Sequence, residues 1–412
     1  MCAKQKVLAL LTNLVPYHHA RWTAFAGREL YDCTVAEIRH KDGFKVLELP
    51  GRMSSNYLRR TLLSGKHEHQ TTRAGVRHLV RRTLDELRPQ IVCLNGYSLA
   101  FNWVALEWCL AQGAMPIICS ESNEFDARRS VLAERVKRFF VSRCVAGLAG
   151  GQPQADYLVK LGLPPERVFL GYDVVDNAHF SHGADAAKSR GAEVRSSCSL
   201  PERYFLAVAR FAEKKNFVRL VEAYAHYREL AARKFSGSKP STLPWHLVLA
   251  GDGLLRSAIE TRIDDLKVRD FVHLVGAKGY AELPAYFGLA SAFVHASTTE
   301  QWGLVVNEAM ASGLPVLVSN RCGCAPDLVR QGVNGFTFDP YDVEQLAQLM
   351  LRLSALNSQL STMAAASRRI ISNWGPDRFA SGLQQAVETA LRVPRPRSTW
   401  FDRLRLTALA HR

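Results

Sequence analysis

The chain has 412 residues, enough for two or three domains. At 47% hydrophobic and 22% charged its composition excludes a chain disordered throughout, a collagen and a disulfide scaffold. Fifty-three Lys and Arg against 38 Asp and Glu leave a formal charge of +15, which points to an anionic partner: nucleic acid, an anionic membrane surface or a phosphorylated ligand. The nine cysteines are an odd number, and only Cys322-Gly323-Cys324 is closely spaced, with a gap unusual for zinc. All nine read as reduced thiols of a cytosolic protein.

In chain order, Lys4 and Lys6 followed by an apolar stretch imitate a signal peptide, but Thr12, Asn13 and Pro16 interrupt it early, so 7–11 reads as a first buried strand. No apolar run approaches the roughly 18 residues needed to span a bilayer. Short apolar runs recur at 33–38, 91–94, 116–119, 145–149 and 168–170, separated by helix-like stretches at 20–30, 72–87, 99–111, 128–141 and 152–161. Such alternation predicts a parallel sheet covered on both faces. Residues 181–200 are rich in small and polar side chains without apolar periodicity and read as a linker. A second series of runs follows at 204–209, 246–250, 271–275, 292–295, 315–319 and 335–338. The expectation is an α/β chain of two doubly wound, Rossmann-like domains, 1–180 and 201–372, with ligands at the carboxyl ends of the strands and between the domains. A helix at 373–391 and a basic tail at 392–412, broken by Pro394 and Pro396, complete the chain.

The densest chemistry lies in 292–340. A strand ends at His295-Ala296-Ser297, a polar loop follows, and 302–312 reads as a helix closed by Gly313. Glu300 then precedes the helix, Gly303 sits in its first turn and Glu308 lies within it. First-turn N–H groups lack intrahelical partners and, with the helix dipole, form an anion site that a small residue lets a phosphate approach. Two carboxylates flanking that site suit hydroxyls on either side of a diphosphate; the plain alternative is a dipole-favoured acid and a solvated helix residue. Upstream, a strand ends at Arg210, and Lys214-Lys215-Asn216 lead into a helix at 217–230. A guanidinium and an ammonium at the end of one parallel strand can converge on the same diphosphate, although either alone is most simply a solvated loop cation. The following strand runs into the tight turn Gly251-Asp252-Gly253.

These stretches, Arg210 with Lys215, LVLAGDG, VHLVGAKGYAELPAYFGLASAFVHAS, and Glu300 with Glu308 in EQWGLVVNEAMASGLPVLVS, together resemble glycosyltransferase family 4 over about 200–355. The resemblance implies a retaining sugar-nucleotide enzyme of the GT-B arrangement, two Rossmann-like domains facing a cleft. It implies that Arg210 and Lys215 hold the donor phosphates, that Glu300 holds donor-sugar hydroxyls and Glu308 the ribose, that the amides of Gly303 and Leu304 face the phosphates, and that Val275-Gly276-Ala277 lies near the base. The helix at 373–391 resembles the family's closing helix, which crosses back to the first domain. The family's Pro-Ser before the loop reads Ala296-Ser297 here. With no Asp-x-Asp at a strand end, the expectation is a metal-independent enzyme without a tightly bound cofactor, whose donor is a UDP- or GDP-sugar and whose acceptor is a carbohydrate or lipid-linked hydroxyl in cell-surface polysaccharide or glycolipid synthesis.

In the first half, the loop 13–22 lacks a Gly-rich turn, and 119–124 lacks the His that many relatives place there. His18, His19, Glu121 and Asn95 follow strands and are acceptor-side candidates; the plain reading is two hydrogen-bonded structural histidines and a turn. A sugar-nucleotide epimerase of the same fold is the alternative enzyme. Nucleic-acid binding is disfavoured because the basic residues do not alternate with an aromatic platform.

Much of the charge is concentrated in 52–88 and in the tail. Arg52, Arg59, Arg60, Lys66, Arg73, Arg77, Arg81 and Arg82 accompany apolar residues, and Arg73, Arg77 and Arg81 recur every fourth position on one helix face. Such segments suit docking on an anionic membrane surface, which predicts a cytoplasmic protein peripheral to the inner face; the alternative is a solvated basic face.

Overall fold

The computed structural model describes residues 4–38, 55–63, 72–234, 244–356, 359–396 and six positions beyond 398. The chain divides into two compact units, Met1–Val175 with Trp374–Arg412, and Asp176–Asn373. Among the described residues no helix is long and apolar enough to cross a membrane.

The first unit runs β1 (Lys6–Leu11), α1 (Pro16–Ala26), β2 (Asp32–Glu37), β3 (Leu58–Thr61), α2 (Arg73–Leu87), β4 (Ile91–Asn95), α3 (Ala100–Gln112), β5 (Met115–Ser120), α4 (Val131–Val141), β6 (Ala146–Ala149), α5 (Gln152–Lys160) and β7 (Val168–Leu170). Its strands form one parallel sheet in the order β3-β2-β1-β4-β5-β6-β7. β1 and β5 are almost wholly buried because helices cover both faces, which is why they read as continuous apolar runs. The order reverses between β1 and β4, so the loops after these two strands flank the switch point where open α/β sheets bind ligands.

The second unit holds α6 (Asn177–Ser189), α7 (Gly191–Cys198), β8 (Tyr204–Val208), α8 (Phe217–Lys234), β9 (His246–Ala250), α9 (Arg256–Asp265), β10 (Val272–Gly276), α10 (Leu283–Leu289), β11 (Ala292–His295), α11 (Leu304–Ala311), β12 (Val316–Ser319), α12 (Ala325–Leu328), β13 (Gly335–Phe338), α13 (Val343–Ala355) and α14 (Leu360–Ile371). Its parallel sheet has the order β10-β9-β8-β11-β12-β13. The chain then returns to the first unit as α15 (Pro376–Arg392), which packs on α1, β6 and β7. A Cβ on Gly382 would stand 2.3 Å from the carbonyl oxygen of Leu170, so only glycine lets α15 lie this close to the sheet.

The expected linker at 181–200 is corrected. It is helical, spanning most of α6 and all of α7, and the break between units falls at Val175 and Asp176. α6 buries Phe180, Ala184 and Ala187, spaced four and three apart, against α10, where a Cβ on Gly288 would lie 2.6 Å from the Ala184 carbonyl. Close backbone packing through Ala and Gly holds this helix, and such packing leaves no hydropathy signal. The tail is likewise more than a loose appendage. Asp402 pairs with Arg143, and Leu406 is fully buried in the first unit's core.

Candidate active site

In the second unit β8 and β11 are neighbours, and the loops at their carboxyl ends are bonded to each other. Asn216, in the left-handed region at φ +61, donates its side-chain amide to the carbonyls of Ala296 (3.1 Å) and Pro340 (2.8 Å). The Thr298 amide donates to the Lys214 carbonyl at 2.8 Å. These backbone ties bring the cationic turn Glu213–Lys215 onto the acidic loop before α11.

Glu300 is the hub of that junction. Lys215 donates to its carboxylate, Lys214 Nζ lies 3.6 Å from Oε1, His295 Nε2 lies 3.8 Å from Oε2, and Ser297 Oγ donates to Oε2 at 3.5 Å. Burial pushes the Glu300 carboxyl up, but His295 and Lys215 outweigh it and hold the group well below the usual carboxylate range. Burial pushes His295 down, opposed by Glu300. The Lys215 and Glu300 side chains are only 14% and 13% exposed, so their attraction is less screened than in a surface pair. The Glu300 backbone is pinned as well, its amide donating to the Arg321 carbonyl and its carbonyl accepting from Gly323.

The helix begins later than its sequence suggests. α11 starts at Leu304, and Gly303 is its N-cap, at φ +108, rather than a first-turn residue. A side chain there would be strained, and its Cβ would sit 3.5 Å from both His295 Nε2 and Cys324 Sγ. The glycine therefore leaves open the space between the helix's free N–H groups and the Glu300 cluster. Glu308 is buried, against the plain alternative of a solvated helix residue, and burial pushes its carboxyl up to about 8. Arg210, beyond the end of β8, is exposed, and no ion pair joins it to another described residue. Gly276 ends β10, two strands from β8, with Ala277 just beyond it, and the Gly276 carbonyl accepts from the Gly251 amide at 2.9 Å. Lys215, Glu300 and Gly303 are thus assembled, while Arg210, Gly276, Ala277 and Glu308 occupy the same strand-end and helix elements without bonding to that cluster. His295 and Ser297 are partners that the sequence reading passed over; their place at the end of β11, just before an acidic loop, was the available signal.

In the first unit, His18 Nδ1 lies 3.0 Å from the Asn13 carbonyl, and burial with the nearby Arg21 charge pushes the ring down to about 3, so it is neutral. His19 Nδ1 lies 2.8 Å from the Tyr57 hydroxyl. Asn95 Oδ1 accepts from the Tyr172 hydroxyl at 2.7 Å. Glu121 adjoins Asp173, whose carboxyl is pushed well up by burial and by the Glu121 charge, with Arg21 opposing. Arg21, fully buried, donates Nε to the Val174 carbonyl at 2.9 Å, approaches Asp173 to 3.6 Å, and lies 4.9 Å from the ring centres of Tyr17 and Tyr172. Asn95 and Glu121 therefore border a buried network whose other members, Arg21 and Asp173, have no mark in the sequence beyond following β1 and β7.

Several arginines of the basic segment, on β3 and α2, have acidic partners. Arg60 and Arg82 both pair with Glu86, Arg81 lies 3.9 Å from Glu107, and Arg59 pairs with Glu37 at 2.6 Å. Arg52 and Lys66 lie outside the described residues.

Residues 195–370, which include the whole Lys215–Glu300 cluster, match the family model described as "Glycosyl transferases group 1". The chain is 27% identical over 217 residues to the amylovoran biosynthesis glycosyltransferase AmsK of Erwinia amylovora, covering 51% of this chain and 48% of the relative. It is 30% identical over 160 residues to the alpha-monoglucosyldiacylglycerol synthase of Acholeplasma laidlawii, covering 39% and 36%. It thus spans half or less of the length of these curated relatives. The Anabaena Alr3699/HepE crystal structure in complex with UDP has the same fold, with a TM-score of 0.70 at 16% identity over 93% of this chain and all of that one. The expected two-unit α/β architecture, GT-B, is the fold of this chain.

Proposed function

We propose that the protein is a retaining, metal-independent glycosyltransferase of family 4, moving a sugar from a UDP- or GDP-linked donor to a hydroxyl of a carbohydrate or lipid-linked acceptor. The Lys215–Glu300 junction facing the N-terminus of α11 carries this reading, because it combines a cation for a diphosphate, a carboxylate for sugar hydroxyls and unpaired amides in one place. The family match over 195–370, the UDP bound in the Anabaena structure, and relatives named for polysaccharide and glycolipid synthesis support it.

In this reading Arg210 and Lys215 take up the charge that grows on the departing diphosphate, helped by the amides of Gly303 and Leu304. Glu300, ionised, accepts hydrogen bonds from donor-sugar hydroxyls, Glu308 from the ribose, and Gly276 with Ala277 lies along the base. The acceptor oxygen approaches the face the diphosphate leaves, its proton passing to a phosphate oxygen as the new glycosidic bond forms and the sugar–phosphate bond breaks. Glu121 and Asn95 border the acceptor region, His18 and His19 holding the loop beneath it, and the protein works peripherally on the inner face of a membrane.

A thermal-shift panel of UDP-, GDP- and ADP-sugars, followed by product analysis with and without acceptor in excess EDTA, tests the reading. Stabilisation by one sugar nucleotide and transfer with retained anomeric configuration are expected. No stabilisation by any of them, product without acceptor, or strict Mg²⁺ dependence would count against the corresponding part.

A further inference from the structure

Three of the most exposed large apolar side chains fall within eight residues of the first unit: Phe125 at 69%, Val131 at 72% and Leu132 at 69%. They stand on the loop after β5 and on the first turn of α4. Leu132 belongs to the stripe that continues through Val136, Phe139 and Phe140 at helical spacing. Those last three pack on the unit's core, whereas Leu132 extends the same stripe past the core's edge. The loop is fixed in this shape. The Phe125 amide donates to Asn123 Oδ1 at 2.8 Å, Arg129 donates to the carbonyls of Asn123 and Glu124 and pairs with Asp126, and its guanidinium lies 4.5 Å from the ring centre of Tyr157. Ser130 caps α4 by accepting from the Ala133 amide.

The surrounding charge is mixed, with its acids taken up by basic partners. Asp126 is paired with Arg129, Glu134 with Lys137, and Glu124 with Lys160. Arg128 and Arg135 are exposed, and neither has an ion-pair partner among the described residues. The patch therefore offers apolar tips ringed by unspent cations, the pattern that enters the headgroup boundary of an anionic bilayer. On α2, in contrast, Arg82 pairs with Glu86 and Arg81 lies 3.9 Å from Glu107.

We infer that the first unit docks on anionic lipid through Phe125, Val131 and Leu132, with Arg128 and Arg135 over the headgroups, and not through the basic face of α2. The inference refines the peripheral-membrane part of the proposed function and does not depend on glycosyl transfer. Its test is sedimentation of the full chain with vesicles of phosphatidylglycerol and phosphatidylcholine in equal parts, and with phosphatidylcholine alone, at low and high salt. Binding to the mixed vesicles is expected, and the Phe125→Ser, Val131→Ser, Leu132→Ser triple variant should bind at least about tenfold more weakly, since each side chain loses its apolar transfer energy. Arg128→Glu with Arg135→Glu should erase the preference for anionic lipid, and Arg81→Glu with Arg82→Glu should change binding by less than about twofold. Unaltered melting temperatures exclude misfolding of these surface variants. Parental binding by the triple variant overturns the inference. So does a concentration-dependent dimer, seen by sedimentation velocity and dissolved by the triple variant, which would make the patch a contact between copies. No sugar nucleotide enters the assay, so its failure is distinguishable from failure of the transferase reading.

Discussion

The Lys215 ammonium donates to the Glu300 carboxylate across 85 positions of sequence, joining the loops that follow two adjacent strands. In the proposed reaction both partners meet the donor, so removing either should reduce turnover rather than merely weaken binding. Lys215→Ala is expected to lower kcat by about 10²–10³. Because the pair acts as a unit, the Lys215→Ala, Glu300→Gln double variant should fall far short of the product of the two single losses. Strictly multiplicative losses would show that the two act independently.

Glu300 also predicts an acid limb in stability. Its folded carboxyl lies below the unfolded value of about 4.3, so its contribution is fully present above that pH and is lost as pH falls through the folded value. Melting curves from pH 7 to 3 should show a shallower decline for Glu300→Gln than for the parent. Parallel curves would mean that the pair does not hold the carboxylate ionised.

Glu308 predicts the reverse. Its carboxyl titrates near 8 in the fold and near 4.3 in the unfolded chain, so its contribution is present below pH 4.3 and is lost as pH rises through about 8. The melting temperature of Glu308→Gln relative to the parent should therefore rise between pH 5 and pH 9. A flat difference would place the carboxylate in water.

Arg210 is exposed and unpaired among the described residues, so Arg210→Ala should leave unfolding within about 0.5 kcal/mol of the parent while lowering turnover by on the order of 10²-fold. Gly303→Ala should do both kinds of damage. Its φ of +108 and its nearness to His295 and Cys324 imply a stability cost of about 1–3 kcal/mol and a raised KM for the donor. Urea titration with donor kinetics separates the two variants, and an unstrained, fully active Gly303→Ala would refute the close approach at this cap.

The buried Arg21 and Asp173 should respond unequally. Asp173 is pushed well up by burial and by the Glu121 charge, so exchanging its carboxyl for the near-isosteric amide in Asp173→Asn should cost less than about 1 kcal/mol. Arg21→Ala empties the space beside Tyr17 and Tyr172 and abandons the Val174 carbonyl, which should cost about 3 kcal/mol or more. Equal losses in urea titration would show that Asp173 is ionised in the fold.

The strands and the order of motifs in the second unit were legible because most of its β runs, the edge strand β10 excepted, are buried and carry their apolar residues consecutively. α6 was not, because Ala184, Ala187 and the facing Gly288 pack by closeness of backbone and contribute little hydropathy. At the candidate site, Lys215, Glu300 and Gly303 could be named from spacing along the chain. The role of His295 could not, since it depends on a loop folding back within 3.8 Å of that histidine. The burial of Glu308 was hidden for a similar reason: helical spacing says which residues share a face, and only the packed neighbours say whether that face is dry. In the first unit, Asp173 and Arg21 are 152 residues apart and meet only because β7 and the α1 that follows β1 belong to one sheet and its covering helices.

The chain enters the second unit at Asp176 and leaves it at Asn373, and just inside those points the Asn177 side chain donates to the Ile371 carbonyl at 2.9 Å. An uninterrupted segment whose two ends are stitched together can be inherited, or grafted by an engineer, as a cassette. Under the proposed function, one crossover on each side of 176–373 would exchange donor preference between related chains while the host keeps its own first unit, including the returning α15.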